Sequence, residues 1–208
     1  MRLAFPIAVL AALATGLLVP SPASAATPHT HRVVVRPVDA HGHPVAGWSV
    51  HRERDLTVSC SEGSSPAAVD DGIAFCGPSA AYTPACWKSG HHTVLCLRDA
   101  RHKKLVRLRY TGSFRAGTAP ARPQPMDLTL RSGERCDVRV GGAWASLPTH
   151  PHWVGFFSCA TGDVYGRVGG DGIDRSDPVW TVHLWKNGTA HRVVVRRVRT
   201  AYFVGTRH

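Results

Sequence analysis

The segment RVGGDGIDRSDPVWTV, from Arg167 to Val182, carries three aspartates within seven residues. Their carboxylate oxygens are the ligand type that calcium takes in proteins, and the surrounding glycines nearly fit a calcium-binding nonapeptide. Ser176 stands where such a repeat needs a large apolar residue, and the motif occurs once, whereas those sites form between stacked copies. Asp171, Asp174 and Asp177 are therefore predicted to shape a turn that begins a strand, and we expect no calcium there.

Thirteen histidines offer imidazole ligands of the kind that zinc and copper prefer. Six of them form His-x-His pairs, whose two side chains share one face when the pair lies in a strand. Two of the three pairs fall near the start of the mature chain or in a proline-containing turn, where water is expected to surround them. We therefore expect no metal and no cofactor. The pairs are His29 and His31, His41 and His43, and His150 and His152.

Motifs for nucleophilic or phosphate chemistry do not occur in the sequence. There is no Gly-x-Ser-x-Gly, no His-Glu-x-x-His and no glycine-rich phosphate loop. A triad or a carboxylate pair that the fold assembles from distant residues stays open, because its members need not be close in sequence. No catalytic residue is predicted, and an exported hydrolase acting on envelope material is the alternative to a binding function.

Arginines concentrate in two segments with strand-like alternation. In KKLVRLRY, from Lys103 to Tyr110, arginines alternate with apolar residues, which is typical of a half-buried strand with a cationic outer face. HRVVVRRVRTAYFV, from His191 to Val204, is the second segment. Guanidinium groups on a strand face can bind phosphate or carboxylate in a bidentate manner. The predicted binding residues are Arg107, Arg109, Arg192, Arg196, Arg197 and Arg199.

The chain is basic: 25 lysines and arginines against 14 acidic residues give a formal net charge of +11. Such a charge attracts nucleic acid, acidic lipid or an anionic wall polymer. The abundance of arginine, alanine, glycine and proline is also typical of a GC-rich genome, which by itself raises the charge. We predict a non-catalytic protein that binds an anionic polymer or surface of the cell envelope, and nucleic acid stays open as a less favoured partner.

Residues 1–25 have the organisation of a signal peptide. A short positive start precedes an apolar run from Leu3 to Val19, and Ala23-Ser24-Ala25 supplies a small-x-small cleavage site. An uncleaved anchor is the alternative, although the run is short for a membrane span. No later stretch is long enough to cross a bilayer. We expect residues 26–208 to be secreted as a single β domain.

Six cysteines lie in the mature part, and an even number in an exported chain predicts three disulfides in an oxidising compartment. Zinc would need close Cys-x-x-Cys spacing, which does not occur. Six cysteines allow about fifteen pairings. Nearest-neighbour pairing is predicted because each pair then brackets a hairpin or a loop, which gives Cys60–Cys76, Cys86–Cys96 and Cys136–Cys159.

Short apolar runs separated by turn residues predict an all-β fold, an antiparallel sandwich or barrel of short strands tied by disulfides. ACWKSGHHTVLCLRD gives the clearest hairpin, with Cys86 and Cys96 on opposite arms. Asn-Gly between alternating runs is a strong hairpin signal as well. The other predicted hairpins join 31–38 to 47–53, turn at Ser132-Gly133 and turn at Asn187-Gly188.

A long connection is predicted from Gly112 to Pro125, because GSFRAGTAPARPQP is too rich in glycine and proline for regular structure. It separates the cysteines into a group of four and a group of two. Both numbers are even, so two closed subdomains divided near 112–125 are compatible with the sequence. One domain with a long loop is equally compatible, and it is the arrangement that we favour.

Eight short motifs follow one another between Val58 and Thr206: VSC, SSPAAVDDGIAFCGPSA, ACW, CLRD, GERC, GGAW, IDRSDPVWTV and TAYFVGT. The series resembles a group of small exported proteins from high-GC Gram-positive bacteria. Members of that group often carry Asp-Gly before Arg-Cys, where this chain has Ser132-Gly133-Glu134, and a proline after CLRD, where it has Ala100. The resemblance implies export and a disulfide framework. The group has no established activity, so no catalytic residue follows from it.

Overall fold

A computed structural model describes residues 27–77, 83–139, 147–186 and 192–208 of the chain. Within these ranges the protein is all-β, as predicted, and no helix is long and apolar enough to cross a membrane. The predicted signal peptide, residues 1–25, and the predicted turn at Asn187-Gly188 lie outside the described residues. In chain order the strands are β1 (His31–Asp39), β2 (Ser49–Ser59), β3 (Ala74–Cys76), β4 (Thr83–Lys88), β5 (Thr93–Asp99), β6 (Lys104–Thr111), β7 (Asp127–Leu130), β8 (Arg135–Val138), β9 (Trp153–Cys159), β10 (Gly162–Arg167), β11 (Ile173–Asp174), β12 (Thr181–Lys186) and β13 (Val193–Arg207).

Six antiparallel strands close into a barrel. The row β7-β8-β9-β10-β12 is joined into a ring by β13, which pairs with β12 through its first residues and with β7 through its middle. The short strand β11 extends the edge of β12, where Ile173 lies opposite Val182. The barrel interior holds fully buried aromatic and aliphatic side chains, among them Phe157, Leu184 and Phe203.

The remaining strands form an open sheet in the order β2-β6-β5-β4-β3. Its centre is the hairpin predicted from ACWKSGHHTVLCLRD, and Cys86 lies directly opposite Cys96 in the β4–β5 register. The hairpin predicted at Ser132-Gly133 is confirmed in the barrel by the antiparallel pairing of β7 with β8. These short-range pairings are the part of the topology that local turn chemistry determines.

Two pairings depart from the predicted antiparallel pattern, and the hairpin predicted between 31–38 and 47–53 is wrong. β1 runs parallel to β13, and β2 runs parallel to β6 in the other sheet. Backbone N–H groups of the turn after β1 find their acceptor within the turn: the Asp39 carboxylate accepts those of His41 and His43 at 2.9 and 2.8 Å. The chain then leaves the barrel and enters the open sheet. The run predicted as a strand at 47–53 belongs to the longer strand β2, which continues to Ser59.

All three predicted disulfides are confirmed: Cys60–Cys76, Cys86–Cys96 and Cys136–Cys159. The first two lie side by side in one buried cluster of the open sheet, and the third joins β8 to β9 in the barrel wall. Disulfides persist in oxidising environments, so the framework indicates an oxidising compartment.

The open sheet packs one face against the barrel. Trp87, Leu95 and Leu105 of that face share a buried cluster with Val204 of β13. The indole N–H of Trp87 donates to Thr206 Oγ1 at 3.0 Å, and both residues are buried. The opposite face of the sheet buries the two neighbouring disulfides. A core that draws on both sheets accords with one domain, which stays a prediction.

The segment 112–125 is an extended connection without strand structure, as predicted. It is held by hydrogen bonds to the loop between β2 and β3: the N–H of Ala119 donates to Asp71 Oδ1 at 2.8 Å, and the N–H of Gln124 donates to the Pro66 carbonyl at 2.8 Å. The connection therefore follows the junction between the two sheets. This course places its arginine and glutamine side chains beside the barrel.

Candidate functional site

A cleft of about 740 Å³ lies beside the barrel and is called here the tryptophan groove. Its walls come from the 112–125 connection, from β9 and β10, from the loop that follows β10, and from β12. The lining side chains of chemical interest are Arg122, Gln124, Trp153, Arg167, Asp174 and His183. The aspartate-rich stretch, through residues 169–174, therefore forms one wall of this groove.

That wall is fixed by an arginine from within the same stretch. Arg175 is ion-paired with Asp171, lies over the ring of Trp180 at 4.8 Å, and donates to the Pro123 carbonyl at 3.3 Å. Its side chain is only 11% exposed. Burial is the main cause that lowers the pKa of Arg175, while the charge of Asp171 opposes that effect. Asp171 is thus engaged by a cation of the chain itself.

The other aspartates behave as turn residues. Asp174 Oδ1 accepts the N–H of Ser176 at 3.0 Å, and this hydrogen bond is the largest cause that lowers the pKa of Asp174. Asp177 is exposed. In the described ranges, the one group of three convergent metal-ligand atoms consists of the sulfurs of Cys76, Cys86 and Cys96, which are oxidised to disulfides. The geometry of the stretch is that of a turn feeding β11 and β12.

Two glycines allow this loop to lie directly on the barrel wall. Gly172 has φ +73°, and a Cβ there would stand 2.8 Å from Phe156 Cδ2. A Cβ on Gly166 would stand 2.7 Å from the Cα of Gly172. Atoms do not approach that closely, so a side chain at either position would lift the loop away from β10. The shape of the groove floor depends on both glycines.

Trp153 is the centre of an aromatic and histidine cluster. Its ring centroid is 4.2 Å from that of His150 and 4.8 Å from that of His183. Burial, followed by the charge of His150, lowers the pKa of His183, and Asp174 partly offsets both effects. Trp153 and Arg167 also line a second cleft of about 460 Å³, together with His150 and His152. The tryptophan thus stands between two connected clefts.

The groove carries two arginines with free charges. Arg122 and Arg167 are exposed, and neither forms an ion pair within the described ranges. Asp174 is the one acid of the lining that no arginine neutralises, since Asp171 is paired with Arg175. The groove therefore has a net positive charge at neutral pH.

A second cavity, of about 380 Å³, lies where the β5–β6 turn meets β7 and β8, and is called here the acid pocket. Asp127 of β7 and Asp137 of β8 stand directly opposite each other in the strand register. The Asp127 side chain is 10% exposed and the Asp137 side chain is 73% exposed. Burial raises the pKa of Asp127 to about 8, with further contributions from the hydrogen bond to Asp137.

Arg101 lies between the two sheets at the base of the acid pocket. Its Nη1 is 3.3 Å from Asp137 Oδ1 and 4.0 Å from Asp127 Oδ1. Its Nη2 donates to the Leu128 carbonyl at 2.9 Å, and its guanidinium lies 5.2 Å from the ring centroid of Tyr202. The Nε of Arg101 is buried without a hydrogen-bond partner. This cation stabilises one negative charge on the aspartate pair.

A histidine–aspartate pair stands at the mouth of the acid pocket. His102 Nδ1 is 2.6 Å from Asp99 Oδ2, and Asp99 Oδ1 accepts the N–H groups of Arg101 and His102. Burial acts to raise the pKa of Asp99, but the hydrogen bonds from His102 and Arg101 outweigh it, so the pKa is lowered. Asp99 therefore stays ionised close to a carboxyl whose pKa is raised.

A narrow cavity of about 150 Å³, called here the passage, adjoins the tryptophan groove and the acid pocket, and the three together are called here the furrow. It shares the lining residues Pro66 and Gln124 with the tryptophan groove. It shares Pro84, Met126 and Val138 with the acid pocket. The furrow follows the junction between the barrel and the open sheet. Its two ends differ, because one offers arginines around a tryptophan and the other offers paired carboxyls.

The six arginines predicted from the basic strands are divided by the structure. Arg107 and Arg109 lie on β6 of the open sheet, whereas the other four lie in or next to β13 of the barrel. Arg196 pairs with the buried Val182 and so shares its face, while Arg197 pairs with Thr181 on the other face. The predicted residues thus do not present one common face: Arg107, Arg109, Arg192, Arg196, Arg197 and Arg199. Binding through them stays a prediction.

The cationic face predicted for β6 needs a correction. Val106, Leu108 and Tyr110 share the buried side, as the alternation indicated. Leu105, however, lies on the arginine side by alternation and is buried against the barrel. Arg107 lies further along that side and donates to the Ser89 carbonyl and hydroxyl at 3.4 and 3.2 Å. The side of β6 that carries the arginines therefore packs on the barrel at Leu105. It is exposed only further along the strand, beyond that contact.

The histidine pairs remain near the surface. His29 and His31 are exposed with ring centroids 4.7 Å apart, and the exposed His43 lies 3.5 Å from the Asp39 carboxylate. Sequence reasoning did not single out the Asp127–Asp137 pair. The predicted turn at Ser132-Gly133 contained the signal, because the hairpin register that it sets places these two aspartates opposite each other.

No protein-family model matches the chain, and no curated protein and no solved structure is significantly similar to it.

Proposed function

We propose that the protein is exported and binds an extended anionic polymer of the cell envelope in the tryptophan groove. The observation that carries this proposal is the pair of unneutralised arginines, Arg122 and Arg167, that line an open cleft together with Trp153. Guanidinium groups bind carboxylate and phosphate through paired hydrogen bonds, and an indole ring offers an apolar surface to a sugar or another ring.

A polymer fits this site better than a small molecule does. The tryptophan groove continues past Trp153 into the second cleft and, through the passage, into the acid pocket. Small-molecule sites are usually enclosed and largely apolar. An open furrow lined by charged and polar side chains accommodates several successive units of a chain, and its binding energy accumulates along the length.

Export and an envelope partner are supported by the covalent framework and by the charge. Three disulfides indicate an oxidising compartment. The formal net charge of +11 favours approach to an anionic surface through long-range attraction, even where individual arginines make no contact. In this proposal the basic strands contribute to approach, and the tryptophan groove makes the contacts.

Binding to bacterial cell-wall sacculi tests the proposal. The probe is sacculi from a Gram-positive bacterium that retain their phosphate-rich polymer, and the matched control is the same sacculi after acid extraction of that polymer. We expect the wild-type protein to co-sediment with the first preparation only. The combined change Arg122→Ser and Arg167→Ser should weaken binding by at least about tenfold, because a hydrogen bond to a charged group contributes about 1.5–3 kcal/mol.

The salt dependence of binding distinguishes contacts made in the tryptophan groove from attraction by the overall positive charge. Each lost contact to a charged group should reduce the slope of log affinity against log salt by about one, so the double variant should lose about two. The control is the combined change Arg196→Ser and Arg197→Ser, which removes the same charge from β13. If this control weakens binding as much as the groove variant does, binding follows from charge alone and the groove proposal fails.

A further inference from the structure

The most unusual pairing in the barrel is that of Asp127 with Asp137. Like charges placed directly opposite each other on neighbouring strands destabilise a sheet. If the pair served only to join the two strands by side-chain hydrogen bonds, an asparagine in place of one aspartate would do so without the repulsion between two carboxylates. Local rules broken in this way mark functional sites more often than other places.

The two carboxyl groups have different surroundings. The Asp127 side chain is buried, whereas the Asp137 side chain is open to solvent. Two carboxyl groups that stand opposite each other beside one arginine retain one proton readily, because two negative charges at this distance repel each other. Arg101 stabilises the remaining negative charge. The pair is thus arranged with its proton on the buried group and its charge on the exposed one, and the raised pKa of Asp127 agrees with this arrangement.

We propose that Asp127 and Asp137 hydrolyse an amide bond of the polymer chain that lies in the furrow. The inference relies on the proposed function for the way in which the chain is held, since the passage leads from the tryptophan groove to this pair. An acid and a base side by side, at the end of a binding furrow, are the components that hydrolysis by activated water requires.

The reaction balances with the pair alone. The Asp137 carboxylate accepts a proton from water as the water oxygen bonds to the carbonyl carbon, and Asp127 donates its proton to the carbonyl oxygen. When the tetrahedral adduct collapses, one hydroxyl returns its proton to Asp127, and the C–N bond breaks. The departing nitrogen takes the proton held by Asp137. The products are a carboxylic acid and an amine, and the pair returns to its starting state.

The spacing of the pair favours an amide over a glycosidic bond. Carboxyl groups of glycoside hydrolases stand about 5–5.5 Å apart in retaining enzymes and about 6.5–9.5 Å apart in inverting ones. Asp127 and Asp137 lie directly opposite each other on paired strands, where Cβ atoms are about 4.5–5.5 Å apart, and both reach Arg101 Nη1, at 4.0 and 3.3 Å. This arrangement is that of carboxyl pairs that hold one proton between them and act on water.

Incubation of the mature protein with Gram-positive cell-wall sacculi tests the inference, with new amino groups and new reducing ends measured in parallel. We expect amino groups to appear without reducing ends. Asp137→Asn and Asp127→Asn should each lower the rate by at least about 100-fold, as expected for loss of a general acid or base. The matched control is Asp55→Asn, which removes an exposed carboxylate of β2 that lines neither the tryptophan groove nor the acid pocket. It should leave the rate unchanged.

Binding to the same sacculi is measured with each variant, which separates this inference from the proposed function. Asp137→Asn is the safer variant because its side chain is 73% exposed, and it should still bind. Absence of amine release by the wild-type protein overturns the inference, whether or not binding is seen. Release of reducing ends instead, or equal rates in the wild type and in Asp137→Asn, overturns it as well. Amine release that is retained after loss of the groove arginines overturns the route through the furrow.

Discussion

The barrel and the open sheet protect their strand edges by different means. The six barrel strands form a ring, so none of them has a free edge within the ring, and one disulfide joins two adjacent strands of the wall. The open sheet ends in β2 and β3 and contains two disulfides. Its edge strand β2 carries exposed charged residues such as Arg52 and Arg54, which discourage pairing with another chain. Covalent bonds are thus denser where hydrogen-bonded closure is missing.

The largest expected effect comes from removing the disulfides of the open sheet. Each closes a loop of 10 or 16 residues, and such a loop contributes about 3 kcal/mol to the free energy of unfolding in the chain-entropy description. Replacing all four cysteines by alanine should therefore cost about 6 kcal/mol, which is comparable to the whole stability of many domains. Denaturant unfolding measures the loss.

Amide hydrogen exchange shows which strands lose stability when these disulfides are removed. We expect faster amide exchange in β2 to β6, with protection retained in the barrel strands, because the barrel has its own buried cluster. The matched control is Cys136→Ala with Cys159→Ala, which should cost about 3 kcal/mol without opening the ring. Equal loss of protection in both sheets after the first change would show that the comparison is wrong and that the sheets unfold as one unit.

The second effect is a pH dependence at the junction of the two regions. The pKa of Asp127 is about 8 in the folded chain and near 3.8 ordinarily, so the folded state binds more protons between these pH values. The free energy of unfolding should therefore fall as pH rises from about 4 to about 8, by at most about 1.4 kcal/mol per pH unit. Thermal melts of the wild type and of Asp127→Asn across this range measure it. If the stability of Asp127→Asn depends on pH as steeply as that of the wild type, Asp127 is not the cause of the pH dependence.

The smallest effect tests the contact between the regions. Thr206→Val removes the acceptor of the buried Trp87 N–H and leaves the volume nearly unchanged. An unsatisfied buried donor costs about 1–3 kcal/mol, so the melting temperature should drop by a few degrees. When Trp87→Phe is added to the Thr206→Val variant, the missing hydrogen bond should cause little further loss of stability, because the N–H donor that it would leave unpaired has also been removed. Additive losses in this cycle would mean that the bond does not couple the two regions.

Local chemistry made some of this fold predictable. The turns at Ser132-Gly133 and between Cys86 and Cys96 determine hairpins whose partners are close in sequence, and the Cys86–Cys96 disulfide follows from the second of them. The parallel pairing of β1 with β13 was not predictable, because it joins residues 168 or 169 positions apart, such as His31 with Thr200, and no local signal specifies its register. β10 was overlooked because Gly162 and Gly166 interrupt its apolar pattern.

The candidate site was predictable only in parts. The aspartate-rich stretch was recognised as a turn, yet its role as a wall of the tryptophan groove depends on Arg175 and on the close approach that Gly166 and Gly172 allow. Arg122 belongs to an irregular connection, so its place beside Trp153 follows from hydrogen bonds such as that of Gln124 to Pro66. Such tertiary contacts have no periodicity that a sequence pattern could reveal.

The strand β13 has a consequence for the order of events during synthesis. Its residues pair with β12, β7 and β1, and Val204 exchanges hydrogen bonds with Ala67 and Val69 of the loop beside the open sheet. Neither the ring nor the junction can be completed until residues 193–207 have left the ribosome, although every other described strand has been made by then. Pairing over such separations slows folding and prolongs the exposure of unpaired strands. The emerging chain must therefore remain unaggregated with an unfinished barrel, although all six cysteines precede residue 193 and can form their three disulfides before the last strand arrives.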